Sequence, residues 1–590
     1  MKYKYKCICV LASLMASALV GCNDSFLDKY PETSLTEKTF FKNVKDLETY
    51  TYGLYGMIPF SYDDNNSDNI LYHTDGTSIE SMIRGEVDAD RTVNWSWGNL
   101  RAVNLLLANV PHVEGDAAEI KHYESLGRFF RALFYWDKVK TFGDVPWYDK
   151  LLNTNDVDEL YKPRDSREVV MDNVLADLTY AVENSKVVDD RTYLSKYPIA
   201  AFAARIALYE GTFRKYQTDL NLSGGEKFLE KAAEWSKLVM DDGRFELTPM
   251  EQWASMFNDN VLDGNKEMVM FKKHSKELGV GNNTHIVCDQ YWALSGSLVN
   301  TFLNADGTRF TDLPDYKKRT YVEVFENRDP RLKATVLYPG YIRWDDKNPT
   351  LVRPEFGGYP QLKFYPVRRD LALGWVMNYT DLPIVRLAEM YLVYAEAKAE
   401  LGTLTQNDLD ISVNHLRSRA SLPPLNMAVA NSDIDPVLAE QYKTISGANR
   451  GVLLEILRER RVELACEGLR KDDIFRHKQG TNMVRFIGEG MYIPQLGPLD
   501  VTGDNEPDIV ILEKATDGDV DKYGDMPLYY LQDKNGKETT WYLENGTSGH
   551  IRITSFRDTK REFKEPQYYF YPIGTDEIVL NNNLKQMYGW

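Results

Sequence analysis

Apolar residues recur at helical spacing over most of the chain. In residues 453–476 Leu453, Ile456, Leu457, Val462, Ala465, Cys466 and Leu469 fall on one side, while Arg458 to Glu467 crowd the rest with alternating charge. This pattern predicts one long interior helix with an ionic coat. Opposite charges three apart, Arg460 with Glu463 and Glu467 with Arg470, are placed to pair along it or to bond neighbouring helices. Upstream, helices are predicted over 44–58, 97–110 and 117–142. In the last of these Leu126, Phe129, Phe130, Leu133, Phe134 and Trp136 share a broad face before Gly143-Asp-Val-Pro146 stops it. Ser166 caps a helix to Asn184, Pro198 opens one to Tyr216, and Gly225 precedes another to Met240. A further helix is predicted to open at Asp381-Leu-Pro383 and run through Arg386 to a stop at Gly402.

Serial helix pairs joined by short turns predict a mainly α fold, a tetratricopeptide-like helical-repeat scaffold over 44–246 and 382–478, although no clean repeat consensus is visible. Residues 247–381 and 479–567 change texture to short apolar pieces broken by Gly, Pro and Asn, and are expected to be loop-rich regions with short strands. Ser61-Tyr-Asp-Asp-Asn-Asn-Ser-Asp68 reads as an exposed loop. The aromatic segment 568–590 is expected to pack rather than hang free.

The beginning of the chain alters this picture. Lys2, Lys4 and Lys6 precede an apolar run from Cys7 to Val20 and the tetrapeptide Leu19-Val-Gly-Cys22. Residues 1–21 are expected to be a lipoprotein signal peptide, with Cys22 acylated as the first mature residue and 22–43 as a tether. Of five cysteines only Cys288 and Cys466 then remain unmodified, too few for a disulfide framework. The formal charge of -18 argues against a sequence-independent grip on nucleic acid.

The chain has no phosphate-binding glycine loop, no His-Glu-x-x-His and no Gly-x-Ser-x-Gly, and its eight histidines show no metal-ligand spacing. No cofactor and no metal are expected. Asp517-Gly-Asp-Val-Asp521 is half a calcium loop without the glycine and the final glutamate, so a solvated turn is the better reading. Aromatic residues in polar surroundings are the stronger lead. An indole or phenol face stacks on the apolar face of a sugar ring while nearby Asp or Arg groups satisfy hydroxyls. On this ground Trp95, Tyr291, Trp292, Trp344, Asp75 and Arg84 are the candidate ligand contacts; Trp97, at a helix start, reads as structural.

These pieces resemble the SusD/RagB family of outer-membrane lipoproteins. The resemblance rests on the Cys22 lipobox with Phe26-Leu-Asp, the helix Gly127-Arg-Phe-Phe-Arg-Ala-Leu-Phe-Tyr135 leading to Phe142-Gly-Asp-Val-Pro146, and Asn327-Arg-Asp-Pro-Arg-Leu332. Most specific are Arg386-Leu-Ala-Glu-Met-Tyr-Leu-Val-Tyr-Ala-Glu-Ala397 and Arg458-Glu-Arg-Arg-Val-Glu-Leu-Ala-Cys-Glu-Gly-Leu-Arg470. Cys466, where the family usually has a bulkier residue, and His477, near where a Trp often follows, depart from the pattern and suggest local repacking. The resemblance implies a single SusD-like domain over 22–590. It further implies a lipid-anchored protein on the exterior of the outer membrane that binds glycan and acts as the lid of a SusC-like TonB-dependent transporter, without catalysis. Two other readings stand beside it: a RagB-like lid for peptides and, more remotely, a surface glycan hydrolase.

Overall fold

The computed structural model describes residues 40–71, 78–90, 95–259, 261–288, 293–485 and 488–590. The fold is mainly helical. Helices α1 (Val44–Tyr52), α2 (Gly98–Asn109), α3 (Ala117–Phe142), α4 (Arg167–Asn184), α5 (Lys196–Tyr216) and α6 (Glu226–Met240) form the first half of the scaffold. From α2 onward each packs on its successor in the tetratricopeptide-like manner. The second half is α7 (Leu387–Glu400), α8 (Val413–Arg419), α9 (Arg450–Glu463) and α10 (Arg470–Arg476). The halves join where α7 lies against both α6 and α9. Among the described residues no helix is long and apolar enough to cross a membrane.

Local chemistry explains the boundaries. Asp116 caps α3 by accepting the Ala118 and Glu119 amides at 2.9 and 3.0 Å. The expected broad face of α3, including Phe129, Phe130 and Trp136, is buried. Gly143 ends α3 at φ +74, where a Cβ would also collide with the Tyr588 ring. Tyr588 stacks on Phe570 at 4.1 Å and bonds Asp144 at 3.1 Å, which ties the C-terminal segment to the end of α3. A Cβ on Gly211 of α5 would press into Leu229 of α6 and the Gly225 carbonyl, which sets the close approach of those helices.

The strands form small sheets. β1 (Ile70–Leu71) pairs antiparallel with β3 (Ala293–Leu294), and β2 (Met268–Lys272) with β4 (Leu382–Arg386). The later loop-rich region holds two three-stranded sheets, one built from β5 (Tyr492–Ile493), β9 (Trp541–Leu543) and β10 (Gly549–Ile553). The other contains β6 (Gly497–Leu499), β7 (Ile509–Lys514) and β8 (Leu528–Gln532).

Four expectations are corrected. The predicted helix at 381–383 is strand β4, and Pro383 fits there because a two-stranded ladder leaves one edge of each strand without hydrogen bonds; α7 starts only at Leu387. The helix predicted at 44–58 ends as α1 at Tyr52 and is followed by a separate turn of 3-10 helix at Tyr55–Met57. The single helix predicted over 453–476 is two helices, α9 and α10, separated by a turn in which Cys466 and Gly468 have φ of +66 and +77. The supposedly exposed loop 61–68 supplies the reason. Asp64, Ser67 and Asp68 are buried, and the Asp64 carboxylate accepts the Cys466 and Gly468 amides at 2.7 and 3.0 Å. Asp68 in turn takes both Nε and Nη2 of Arg470, at 2.7 and 2.9 Å.

The ionic coat of α9 is correspondingly inside the protein. Arg460 bonds Asp473 rather than Glu463, and Arg458 reaches Asp435 and the Thr301 carbonyl. Glu463 accepts from Arg331 and Arg386 and forms an ion pair with Arg419, while Glu467 accepts from Arg386 and Lys363 rather than from Arg470. Buried charges of this kind persist only where each is matched and hydrogen-bonded. His477 is likewise a core residue, between Tyr216 and Tyr442 with Nδ1 2.9 Å from the Asp473 carbonyl.

Candidate ligand-binding site

Trp344 is the candidate residue that the structure sets up most clearly as a platform. It sits at φ +48, an uncommon backbone state for a bulky residue. Its Nε1 donates to the Pro366 carbonyl at 2.8 Å, and its ring stacks on Tyr365 at 5.7 Å with only 13° between planes. The indole is therefore held, half-buried, with its polar atom satisfied from within. The Arg369 guanidinium lies 4.9 Å from the indole centroid, and its Nε and Nη2 donate to Asp345 and Asp346 at 2.9 and 3.2 Å. This hydrogen bond to Arg369 lowers the Asp345 pKa and raises that of Arg369. An open recess of about 620 Å³ lies beside them, walled also by Val367, Arg368, Asp370 and Leu373. An aromatic plane next to fixed carboxylate acceptors and guanidinium donors suits a polyhydroxylated ring.

Trp95 is placed elsewhere. It meets Trp97 and Phe142 edge-on at 5.3 and 5.0 Å, and Trp97 packs in turn on Phe134, Tyr135 and Tyr148. Both tryptophans line a cleft of about 520 Å³ with Tyr148, Arg101 and Asn104. Asn104 is pinned there, its Nδ2 donating to the Tyr148 and Lys150 carbonyls at 3.1 Å each.

Arg84 stands in a third setting. Its Nε donates to Glu80 at 2.8 Å, and the same buried carboxylate takes Nε and Nη2 of Arg561 at 2.9 and 2.8 Å. That geometry makes Arg84 a strut between chain segments rather than a free surface guanidinium. Asp75, Tyr291, Trp292 and Cys22 lie outside the described residues. Leu71 and Ala293 face each other in the β1–β3 ladder, and Cys288 Sγ is 3.9 Å from Arg343, the residue before Trp344. Sequence reasoning missed Arg369, Tyr365 and Trp375. Trp375 was signalled only by the apolar run Leu371-Ala-Leu-Gly-Trp-Val-Met377 lying between charged and polar residues.

At Asp517–Asp521 the Asp519 carboxylate is engaged by the Thr516 amide and hydroxyl, both at 2.6 Å, which opens a short helix at Asp519–Tyr523. These are local hydrogen bonds closing a turn.

A family model described as the SusD family matches residues 253–590, more than half of the chain. The chain belongs to the SusD family. Its curated relatives include a SusD-like protein of Formosa agariphila, 23% identical over 82% of this chain and 92% of the relative. Among solved structures, a SusD-like protein from Bacteroides fragilis superposes with a TM-score of 0.65 at 20% identity, covering 95% of this chain and all of that one. A SusD-like carbohydrate binding protein from the same species gives 0.66 at 18% identity, over 93% and 100%. A laminarin binding SusD-like protein gives 0.53 at 18%, over 75% and 94%. At these identities the structural likeness of the SusD-family chain to its neighbours is one of fold.

Proposed function

We propose that this SusD-family protein is a cell-surface glycan-binding lipoprotein, anchored through lipid on Cys22 to the outer membrane and facing outward. It captures oligosaccharide or polysaccharide and hands it to a SusC-like TonB-dependent transporter, for which the single domain over 22–590 serves as lid. No catalytic step is assigned to it. The observation that carries this reading is the Trp344 recess: an indole fixed from behind by Tyr365 and Pro366, with Asp345, Asp346 and Arg369 beside it. Family membership, and the carbohydrate-binding description of one solved relative, support the same ligand class. Trp95, Asp75, Tyr291 and Trp292 are assigned to ligand contact on the sequence reading, and Arg84, bonded to Glu80, to joining chain segments.

The ligand site is weak by itself on this proposal, and most retention comes from closure against the transporter. Affinity electrophoresis and isothermal titration against a panel of polysaccharides test the reading. Binding to at least one neutral polysaccharide is expected, with a tighter grip once the transporter is present. A protein that retains none of the panel but binds peptides would instead be the RagB-like lid for peptide cargo, to which the exposed side chains Leu373 and Met377 lend an apolar surface.

A further inference from the structure

Trp375 is 71% exposed, an unusual state for the largest apolar side chain, and the backbone around it is built rather than loose. Gly374 before it has φ +140, and Val376 after it has φ +54, a conformation that a β-branched residue adopts only when its surroundings impose it. The surroundings are present. The Val376 amide donates to Asn283 Oδ1, and a Cβ on Gly281 would collide with the Val376 carbonyl. Asn282 and Asn378 exchange backbone hydrogen bonds at 2.8 and 3.3 Å. Their side chains lock the clasp further, Asn282 Nδ2 onto the Thr380 carbonyl at 2.8 Å and Asn378 Nδ2 onto Thr284 Oγ1 at 3.0 Å. An indole held out by such a clasp loses little conformational freedom when something stacks on it.

Leu373, two residues away, forms part of the wall of the recess that holds Trp344. The arginines of that wall are each paired: Arg368 bonds Asp370 at 3.1 Å, and Arg369 bonds Asp345 at 2.9 Å and Asp346 at 3.2 Å. A recess whose guanidiniums are all paired offers an anionic ligand no spare cation, yet retains donors and acceptors for hydroxyls. We infer that Trp375 is a second stacking contact beyond Trp344, and that the ligand is an uncharged oligosaccharide long enough to lie across both indoles. This deepens the proposed function and rests on it.

The test is isothermal titration of the full chain and of the Trp375→Ala, Trp375→Tyr and Trp344→Ala variants. The titrants are neutral gluco-oligosaccharides of one to six residues in α-1,4, β-1,3 and β-1,4 linkage, together with the polysaccharide retained best in electrophoresis and its own neutral fragments. Affinity is expected to rise with chain length. Trp375→Ala should lose about tenfold on the longest ligand and nothing on the shortest one bound, and Trp375→Tyr should keep most of the affinity. Equal affinity of Trp375→Ala and the parent at every length overturns the inference while leaving glycan binding intact. Loss of transporter association with unchanged glycan affinity overturns it too, and assigns Trp375 to a protein interface. If the parent binds no glycan at all, the wider reading fails with it.

Discussion

Arg386 and Glu463 meet at 2.6 Å in the interior, and a second nitrogen of Arg386 donates to the Glu463 backbone carbonyl at 2.8 Å. One guanidinium thus binds the C-terminal end of α9 through side chain and backbone together, at the junction of strand β4 and helix α7. Arg386 also reaches Glu267 at 2.7 Å and Glu467 at 2.7 Å, so strand β2's neighbour, the β4–α7 junction and the turn after α9 share one ionic knot. A guanidinium fork suits this role better than an ammonium would, because its donors leave one plane in fixed directions.

Glu463→Ala should therefore be among the most damaging single changes in the chain. It strips Arg331, Arg386 and Arg419 of a shared carboxylate and removes the acceptor of the Trp253 indole at 3.2 Å. Breaking a buried pair from one side costs about 3–5 kcal/mol. Urea unfolding followed by intrinsic fluorescence should show the midpoint fall sharply, whereas Glu440→Ala, which removes only solvent-exposed pairs, should leave it nearly unmoved.

The Asp68 carboxylate supplies a pH signature. Although burial opposes its charge, Arg461 and Arg470 hold its pKa down at about 2 against an ordinary 3.8. A depressed carboxylate contributes stability that is complete above its unfolded pKa and is lost as pH falls through the folded one. The stability gap between the parent and Asp68→Asn should be full at pH 7 and shrink between about pH 4 and pH 2, by roughly 2 kcal/mol from this pKa difference. A gap independent of pH across that window would contradict the assignment.

Much of the scaffold is legible because helix periodicity is a local signal. Ser166, Gly143 and the broad face of α3 each announce themselves within a few residues of where they act. The loop 61–68 is misread for the opposite reason: Asp64 is polar among polar neighbours, and its partners Cys466 and Gly468 lie some four hundred residues away. The same distance hides the break between α9 and α10, since Cys466 shows no turn chemistry and adopts φ +66 only because Asp64 fixes the turn. At the candidate site Trp344 was visible as an aromatic beside Asp345, whereas Trp375 was passed over because its exposure is set by the clasp on Asn282 and Asn283.

Cys466 occupies the turn between α9 and α10. It is fully buried at φ +66 against Asp64, so Cys466→Phe must fit a larger ring into a packed turn and is expected to cost about 1–3 kcal/mol. Cys466→Gly should be tolerated far better, because glycine relieves the left-handed backbone while giving up only a small side chain. Thermal melts of the two variants decide this, and a Phe variant melting with the parent would show that the turn can repack.

Trp344→Ala addresses the site directly. The ring rests on Tyr365 and is half-buried, so its removal leaves a shallow opening and the fold should survive with a slightly lower melting temperature. Glycan affinity should fall about tenfold, a change of ~1.4 kcal/mol, because the stacking plane is lost while Asp345 and Arg369 remain. Arg369→Ala should weaken binding less and should also free Asp345 and Asp346, raising their mutual repulsion at the rim. Titration of both variants with the ligand that the parent retains best distinguishes a stacking platform from a purely polar site: in the second case Arg369→Ala would be the more damaging of the two.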